Sequence, residues 1–483
     1  MILKHWQQRT RNVERWIAAS TLAAAMLVAC LSPLNAHAQA VAQTVVHSRA
    51  RPASPRNPAS PGPNTTAIAP PKLVAITGGK LLTITHGTIE NGVIVLENGK
   101  ITAVGPAAST KVPKDAQVFD AKGMTVYPGL FDAETQLGLV EVDADENSSD
   151  VAEKSDEIFP QMRVVDAFHA ETARIPVERI NGVTNAIVSP AAEDSVAGQD
   201  ALIQLYGKDR NAMIVAPDIA LAMNFEGDVR RRGSAPGSSR FPATRMGLAS
   251  QLRQTFLDTQ NYMAEKAEAA KPDHKGAPPK TDLKFEALIP YLKGEKPVVF
   301  GAYESYEVEV AMSIAKEFNL KVILNHVTHA QDLLDTIASY KVPVIVGSIY
   351  DPPEANERYD AVFSLPAELQ KRGVKIALSS LSNGPSSDSR NLPYAAGYAV
   401  AYGLPYDEAM KAITLNPAEM FGVGDKLGSL DVGKVANVVI ANGDPLDVRT
   451  SVQQVFIEGV AIPMTSRQTQ LRDEYLPLTQ KTK

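Results

Sequence analysis

Histidines, carboxylates and a single cysteine are where this 483-residue chain could do chemistry, and they are unevenly placed. Of the eight histidines, His5 and His37 lie near the N-terminus and His47 in a Pro-rich stretch; His86 falls among short strands, His169 on an expected helix and His274 in a Lys/Pro-rich segment. Only His326 and His329 stand near the end of an expected strand, Lys321 to His326. Imidazoles at strand ends suit a bound cation or a proton transfer. A second stretch, Pro128 to Gly138, follows Met124-Thr125-Val126-Tyr127, an apolar and β-branched run that reads as a buried strand. In it Glu134 and Gln136 stand two residues apart, which on extended chain puts both side chains on one face.

Other chemistries find no frame. There is no Gly-x-Ser-x-Gly elbow, no phosphate loop and no His-Glu-x-x-His. Asp143-Ala144-Asp145-Glu146-Asn147 begins like a calcium loop, but Ser148 replaces the turn glycine and Lys154 the bidentate glutamate. It reads as a solvated acidic loop. Arg230-Arg231-Arg232 reads as a charged tip, with an anionic ligand or lipid headgroup as the functional alternative.

Composition sets the outer bounds. A 44% hydrophobic content allows a large core, and a net charge of -6 gives no reason to expect nucleic acid. Lys4, Arg9, Arg11 and Arg15 precede the apolar run Ile17 to Leu31, and Ala36-His37-Ala38 is an A-x-A cleavage site. Residues 1–38 are therefore expected to be a signal peptide, and the chain to be exported to a bacterial periplasm. Leu27-Val28-Ala29-Cys30 also fits a lipoprotein box; cleavage there would lipidate Cys30 and anchor the protein to a membrane. Residues 39–72 read as a disordered Pro-rich linker.

The rest alternates elements. Asn91-Gly92 and Asn98-Gly99 are hairpin signals between short strands from Leu73 to Phe119. Strands are expected at Val183–Val188, Pro297–Phe300, Lys321–His326, Val342–Val346 and Val374–Leu378. Helices are expected at Tyr306–Phe318, Ala330–Ser339 and around Pro366–Lys371. That order suits parallel βαβ units, in a barrel or an open sheet. Residues 207–294 interrupt it with a candidate helix from Thr244 to Ala270, whose Leu248, Leu252, Phe256 and Met263 share one face. The segment reads as part of the barrel carrying a helical insertion, either a lid over the active face or a solvated decoration.

The stretch Pro128-Gly129-Leu130-Phe131-Asp132-Ala133-Glu134-Thr135-Gln136 resembles the Pro-Gly-Leu-Ile-Asp-x-His-x-His signature of the amidohydrolase superfamily. Both chain ends match as well: Gly428 to Ile440, Asp444-Pro445-Leu446 and Val455 to Gly459 fit the family's closing strands. One departure is Val435-Ala436-Asn437, where relatives commonly have Asp-Ala-Asp. The resemblance runs from about Leu73 to Ile462. It implies an α/β fold, a (β/α)8 TIM-like barrel beside a small β-sandwich formed by the N- and C-terminal segments. The expected boundaries are 73–124 and 426–463 for the composite sandwich, 125–425 for the barrel and 464–483 for a C-terminal tail.

It also implies hydrolysis of C–N bonds by a zinc or other divalent metal that makes hydroxide. The family's His-x-His pair falls on Glu134 and Gln136. Its strand-five histidine meets Tyr303 and Glu304, with no imidazole, although both could face the pocket. Strand six keeps His326, with His329 three residues on. The strand-eight aspartate falls at Leu381, after Ser380, and no lysine suits a carboxylated bridge. The polar run Ser379 to Ser389, with Ser380, Ser382 and Asn383, lies where substrate-binding loops sit in relatives. The expectation is a degenerate amidohydrolase with no metal cofactor, binding a small polar or peptide-like ligand. The alternatives are an active hydrolase with a rearranged site, or a non-catalytic subunit paired with a paralogous amidohydrolase; a homo-oligomer is also open. No nucleic-acid partner is expected, and membrane contact only through lipid on Cys30.

Overall fold

The Met124–Gly138 stretch divides into two strands that belong to different sheets, and this division organises the molecule. The structure is a computed structural model describing residues 73–142, 144–225, 241–329, 331–347, 349–350, 358–381 and 388–480. The expected signal peptide, the linker, Cys30, Arg230 to Arg232, Ser382 and Asn383 lie outside the described residues.

In chain order the strands are β1 (Leu73–Leu82), β2 (Thr88–Glu97), β3 (Lys100–Pro106), β4 (Gln117–Asp120), β5 (Thr125–Pro128), β6 (Leu130–Thr135), β7 (Val183–Val188) and β8 (Val196–Gln204). They continue as β9 (Ile214–Asn224), β10 (Val298–Gly301), β11 (Val322–Asn325), β12 (Val344–Val346), β13 (Ile376–Leu378), β14 (Val438–Ala441), β15 (Val452–Ile457) and β16 (Val460–Ala461). The longer helices are α1 (Arg245–Ala269), α2 (Leu283–Leu292), α3 (Ser305–Glu317), α4 (Leu334–Tyr340), α5 (Ala361–Lys371), α6 (Leu392–Ala401), α7 (Tyr406–Ala412) and α8 (Arg467–Gln480).

The chain ends share one sheet, ordered β16-β15-β14-β5-β1-β2-β3 with β4 on β1. β1 turns a corner at Gly78-Gly79: before it Val74 to Thr77 pair with β4, after it Lys80 and Leu81 pair with β5. Gly78, at φ +81°, supplies the left-handed residue that such a bend requires. The sheet curls around its own core, with Ile76, Ile94, Ile101, Val126, Val438 and Phe456 in one cluster. Asn98-Gly99 is a hairpin turn as expected, but Asn91-Gly92 is not. It lies inside β2, where the register shifts and a Cβ on Gly92 would strike Leu81. The dipeptide there serves a bulge and a close approach rather than a reversal.

Gly129 is the step from this sheet into the barrel. Its N–H bonds Asn437 O at 2.9 Å, and the next residue, Leu130, bonds Gly182 O at 2.9 Å. The first barrel strand is therefore β6, one residue beyond the apolar run at Thr125–Pro128. Asn437, at the departure from the family pattern, ties the two layers together. Its side chain donates to Asn185 Oδ1 at 2.7 Å and accepts from Glu458 N at 2.9 Å.

The barrel sheet is ordered β13-β12-β11-β10-β9-β8-β7-β6. β9 to β13 run parallel, as do β6 and β7, but β8 is antiparallel to both neighbours. Its links to β7 and β9 are too short for a full crossover helix, so the chain turns back on itself there. Residues 207–294 contain β9 itself, then α1 and α2, which carry the chain to the parallel strand β10. Helix α1 begins one residue after Thr244, whose hydroxyl caps Gly247 N at 3.1 Å. Leu248, Leu252 and Phe256 are buried on it as expected, while Tyr262 takes the inner place and Met263 is half-buried.

One residue or more from every barrel strand enters a single inner cluster: Phe131, Ile187, Leu202, Ala220, Val299, Ile323, Ile345 and Ala377. This is the packed interior of the barrel floor.

Candidate functional site

Side chains alternate along a strand, so the residues two further toward the parallel strands' C-terminal ends form the next inward layer. From the floor residues these are Ser189, Asp200, Ala222, Gly301, Asn325, Gly347 and Ser379. β8 runs the other way, which is why its member is found by counting down from Leu202. The floor is apolar and this layer is polar or small. The first strand joins it through Glu134, after a register shift between Asp132 and Thr135.

His326 ends β11 in the left-handed region, at φ +59°. That conformation costs a non-glycine residue about 1 kcal/mol. It is held by Asn325 Oδ1, which accepts from His326 N at 2.9 Å, and by Thr328 N, which bonds His326 O at 2.8 Å. The ring meets Glu134, with Nε2 and Oε2 3.0 Å apart and both side chains 7% exposed. Burial alone would raise the Glu134 carboxyl. The charge and hydrogen bond of His326 outweigh it, helped by Asn325 and Ser379, and hold Glu134 below its ordinary value. Tyr303 stacks on His326 with ring centroids 5.3 Å apart and leans on His329 at 5.9 Å.

The remaining expected residues divide. Gln136 is buried near the site at 6% exposure. Glu304 sits at the N-cap of α3 and forms a capping box with Glu307, whose Oε2 accepts from the Tyr303 and Glu304 N–H groups at 3.2 Å. His329 pairs its backbone with Glu304 beside β10 and is half-buried. Leu381 is buried, and Ser380 turns to Asp132.

Asp132, Ser389, Asp200 and Glu178 were not legible as site residues. Asp132 closes the barrel: β6 and β13 end the sheet order, and its carboxylate spans them. Oδ1 accepts from Ser380 N at 3.0 Å; Oδ2 accepts from the Ser380 hydroxyl and from Ser389 Oγ at 2.5 Å. Burial pushes its pKa up to about 6 against those bonds. Glu178, bonded by Arg390 N, is pushed up to about 8, chiefly by burial. Only the length-two alternation along β8, had that strand been recognised, would have pointed to Asp200.

The family's metal is tested by this donor set. Glu134 and His326 bond each other, and among the described residues no group of three or more His, Cys, Asp or Glu is arranged to hold a metal ion. The layer's one imidazole and two carboxyls, His326 with Glu134 and Asp200, are not arranged as the three-ligand open site of a hydroxide-generating metal. The residues present do not fit it.

Comparison with known proteins agrees with the fold. The sequence profile of the Amidohydrolase family matches residues 297–462. The chain is 25% identical over 397 residues to Amidohydrolase tasK of Hapsidospora irregularis, covering 77% of this chain but only 40% of that protein. It is 23% identical over 385 residues to the imidazolonepropionase of Acidiphilium cryptum, covering 75% of this chain and 89% of the other. The crystal structure of an amidohydrolase from Thermotoga maritima superposes with a TM-score of 0.75 at 28% identity, covering 82% of this chain and all of that one. With a barrel entered through the Pro128-to-Gln136 frame and a terminal sheet built from both chain ends, this chain belongs to the amidohydrolase superfamily.

Proposed function

We propose that this chain is an exported amidohydrolase-superfamily protein whose metal equipment has been lost and whose barrel mouth binds a small polar or peptide-like ligand. The observation that carries this reading is the Glu134–His326 contact. The two residues at the expected metal-ligand positions bond each other, and among the described residues no third His, Cys, Asp or Glu is arranged with them to hold a metal ion. A carboxylate and an imidazole engaged in this way grip neither a cation nor its water. Asn325, Ser379 and Tyr303 surround the pair with groups able to bind a ligand directly.

Export is supported by the basic leader and the Ala36-His37-Ala38 site; cleavage at Cys30 would instead leave a lipid-anchored protein. No helix among the described residues is long and apolar enough to cross a membrane. Metal analysis of the purified mature protein tests the reading: the expected content is far below one ion per chain. One or two tightly held transition-metal ions per chain would refute it.

A second reading is favoured by the same contact. A buried carboxylate-imidazole dyad can take a proton from a bound water, so a rearranged hydrolase built on Glu134 and His326 is its natural competitor. Turnover of amides or dipeptides abolished by His326→Ala would support this, and absence of turnover across such a panel would leave the binding reading in place. A homo-oligomer or a paralogous partner subunit would show in co-purification from the native host.

A further inference from the structure

The polar layer of the barrel holds two carboxyl groups for one imidazole, and the second carboxyl is unspent. Asp200 is 0% exposed, and neither Oδ1 nor Oδ2 makes a hydrogen bond of good geometry. Ser379 Oγ, in the same layer, is also buried and has no partner beyond its weak interaction with Glu134. A buried carboxyl left in this state costs far more than a surface one, so its retention asks for an occupant.

The layer also says what kind. Its inward positions are Ser189, Asp200, Ala222, Gly301, Asn325, Gly347 and Ser379, with Glu134 and His326 completing it; none is lysine or arginine. Gly301 and Gly347 contribute no side chain, and a Cβ on Gly347 would come within 3.3 Å of His326 Cδ2. The buried atoms without partners are two oxygens of Asp200, acceptors once the carboxyl ionises, and Ser379 Oγ, which can also accept. Tyr291 below spends its hydroxyl on Ala220 O at 3.2 Å and so does not reach up to supply a donor. A group rich in N–H donors and carrying positive charge complements this set; a carboxylate or phosphate does not.

Resting on the reading that the barrel mouth takes a ligand without a metal, we propose that Asp200 anchors an organic cation, a primary ammonium or guanidinium group lodged between Asp200 and Glu134 with Ser379 as a third acceptor. Burial, opposed by the Ser189 hydroxyl and reinforced by the charge of Glu134, drives the Asp200 carboxyl well above its ordinary range. Without the cation that carboxyl keeps its proton. On binding, the proton leaves Asp200 for solvent and the cation's charge replaces it, so affinity rises with pH. Glu134 and Tyr291 are the titratable groups coupled to Asp200, and His326 bonds Glu134.

The test is calorimetric titration of the full mature chain with methylguanidinium and with ethylammonium chloride, beside the neutral N-methylacetamide, in two buffers of different ionisation enthalpy. Both cations are expected to bind and the amide not to, with proton release evident from the difference between buffers. Asp200→Asn is expected to weaken the cations roughly tenfold or more and to abolish the release. If that variant does not fold, Ser379→Ala and the pH dependence of the unmodified chain carry the same test. The proposal is overturned if neither cation binds, if the amide binds as well as the cations, if Asp200→Asn changes nothing, or if magnesium or zinc chloride alone binds and displaces them. Stoichiometric metal in the purified protein would sink the ligand-site reading itself, whereas a metal-free protein that prefers the amide would sink only this assignment.

Discussion

Nε2 of His326 stands 3.0 Å from Oε2 of Glu134 across 192 residues of sequence, joining the ends of β11 and β6 inside the barrel. The contact makes partners of two residues expected at the family's metal-ligand positions, and it sets a stability prediction. Glu134→Ala should cost about 3–5 kcal/mol, because it strands a buried imidazole, whereas the double change Glu134→Leu with His326→Leu should recover most of that. The Glu134 carboxyl sits below its ordinary value of 4.5, so the pair's contribution is present above that pH and is lost as pH falls through the folded value. Urea denaturation of both variants checks this; a Glu134→Ala loss within about 0.5 kcal/mol of zero would show the pair to be energetically idle.

The seam between β6 and β13 predicts the opposite pH trend. Asp132 is raised from 3.8 to about 6 and Glu178 from 4.5 to about 8, so both bind protons more tightly folded than unfolded. Their contribution is complete below the unfolded values and is lost as pH rises through the folded ones. Stability to urea should therefore fall as pH rises from about 4 to about 8, by an amount on the order of 2–3 kcal/mol for Asp132 alone between its two values. Asp132→Asn should remove the part of the slope below about pH 6, and Glu178→Gln the part that continues to about pH 8. Unchanged slopes in both variants would mean that these carboxyls are not the groups that titrate.

Gly129 allows the chain to cross from one sheet to the other. A Cβ there would lie 2.1 Å from Thr184 Oγ1 and 2.7 Å from Thr184 Cβ, in a buried, β-branched neighbour with little freedom to move. Gly129→Ala should destabilise by about 1–3 kcal/mol, and adding Thr184→Ala should restore much of it. Thermal melts of the single and double variants read the coupling. Additive effects would place the clash elsewhere.

Helix α1 links β9 to β10 and has Phe256 buried against Phe318 of the segment after α3, ring centroids 4.9 Å apart. Phe256→Ala should cost about 3–5 kcal/mol, as expected of a core aromatic. A loss below about 1 kcal/mol in chemical denaturation would mean that the helix is a detachable decoration.

Much of this architecture was readable from local pattern. The parallel strands β10 to β13 announced themselves as short apolar runs separated by helical periodicity, and Thr244 marked the start of α1 as an N-cap does. Strand β8 did not. Val196 to Gln204 mixes Gly198, Gln199 and Asp200 with apolar residues, because a strand buried on both faces of a barrel with a polar inner layer shows no clean alternation. With β8 unseen, Asp200 had no address. The Asn91-Gly92 dipeptide misled for a related reason: the same residues serve a reversal or a bulge, and the choice belongs to the partner strand, here Leu81.

By itself the sequence determined the family frame, the order of elements and the absence of the paired histidines, since these depend on residue type and near-neighbour spacing. Only the tertiary structure decided what fills the vacated positions. Which carboxylate faces which imidazole, that Asp132 fastens the barrel and that Asp200 lies spare within it are matters of register between strands dozens to hundreds of residues apart. A one-residue slip in a strand turns a side chain from the interior to the outside, and no local pattern carries that information.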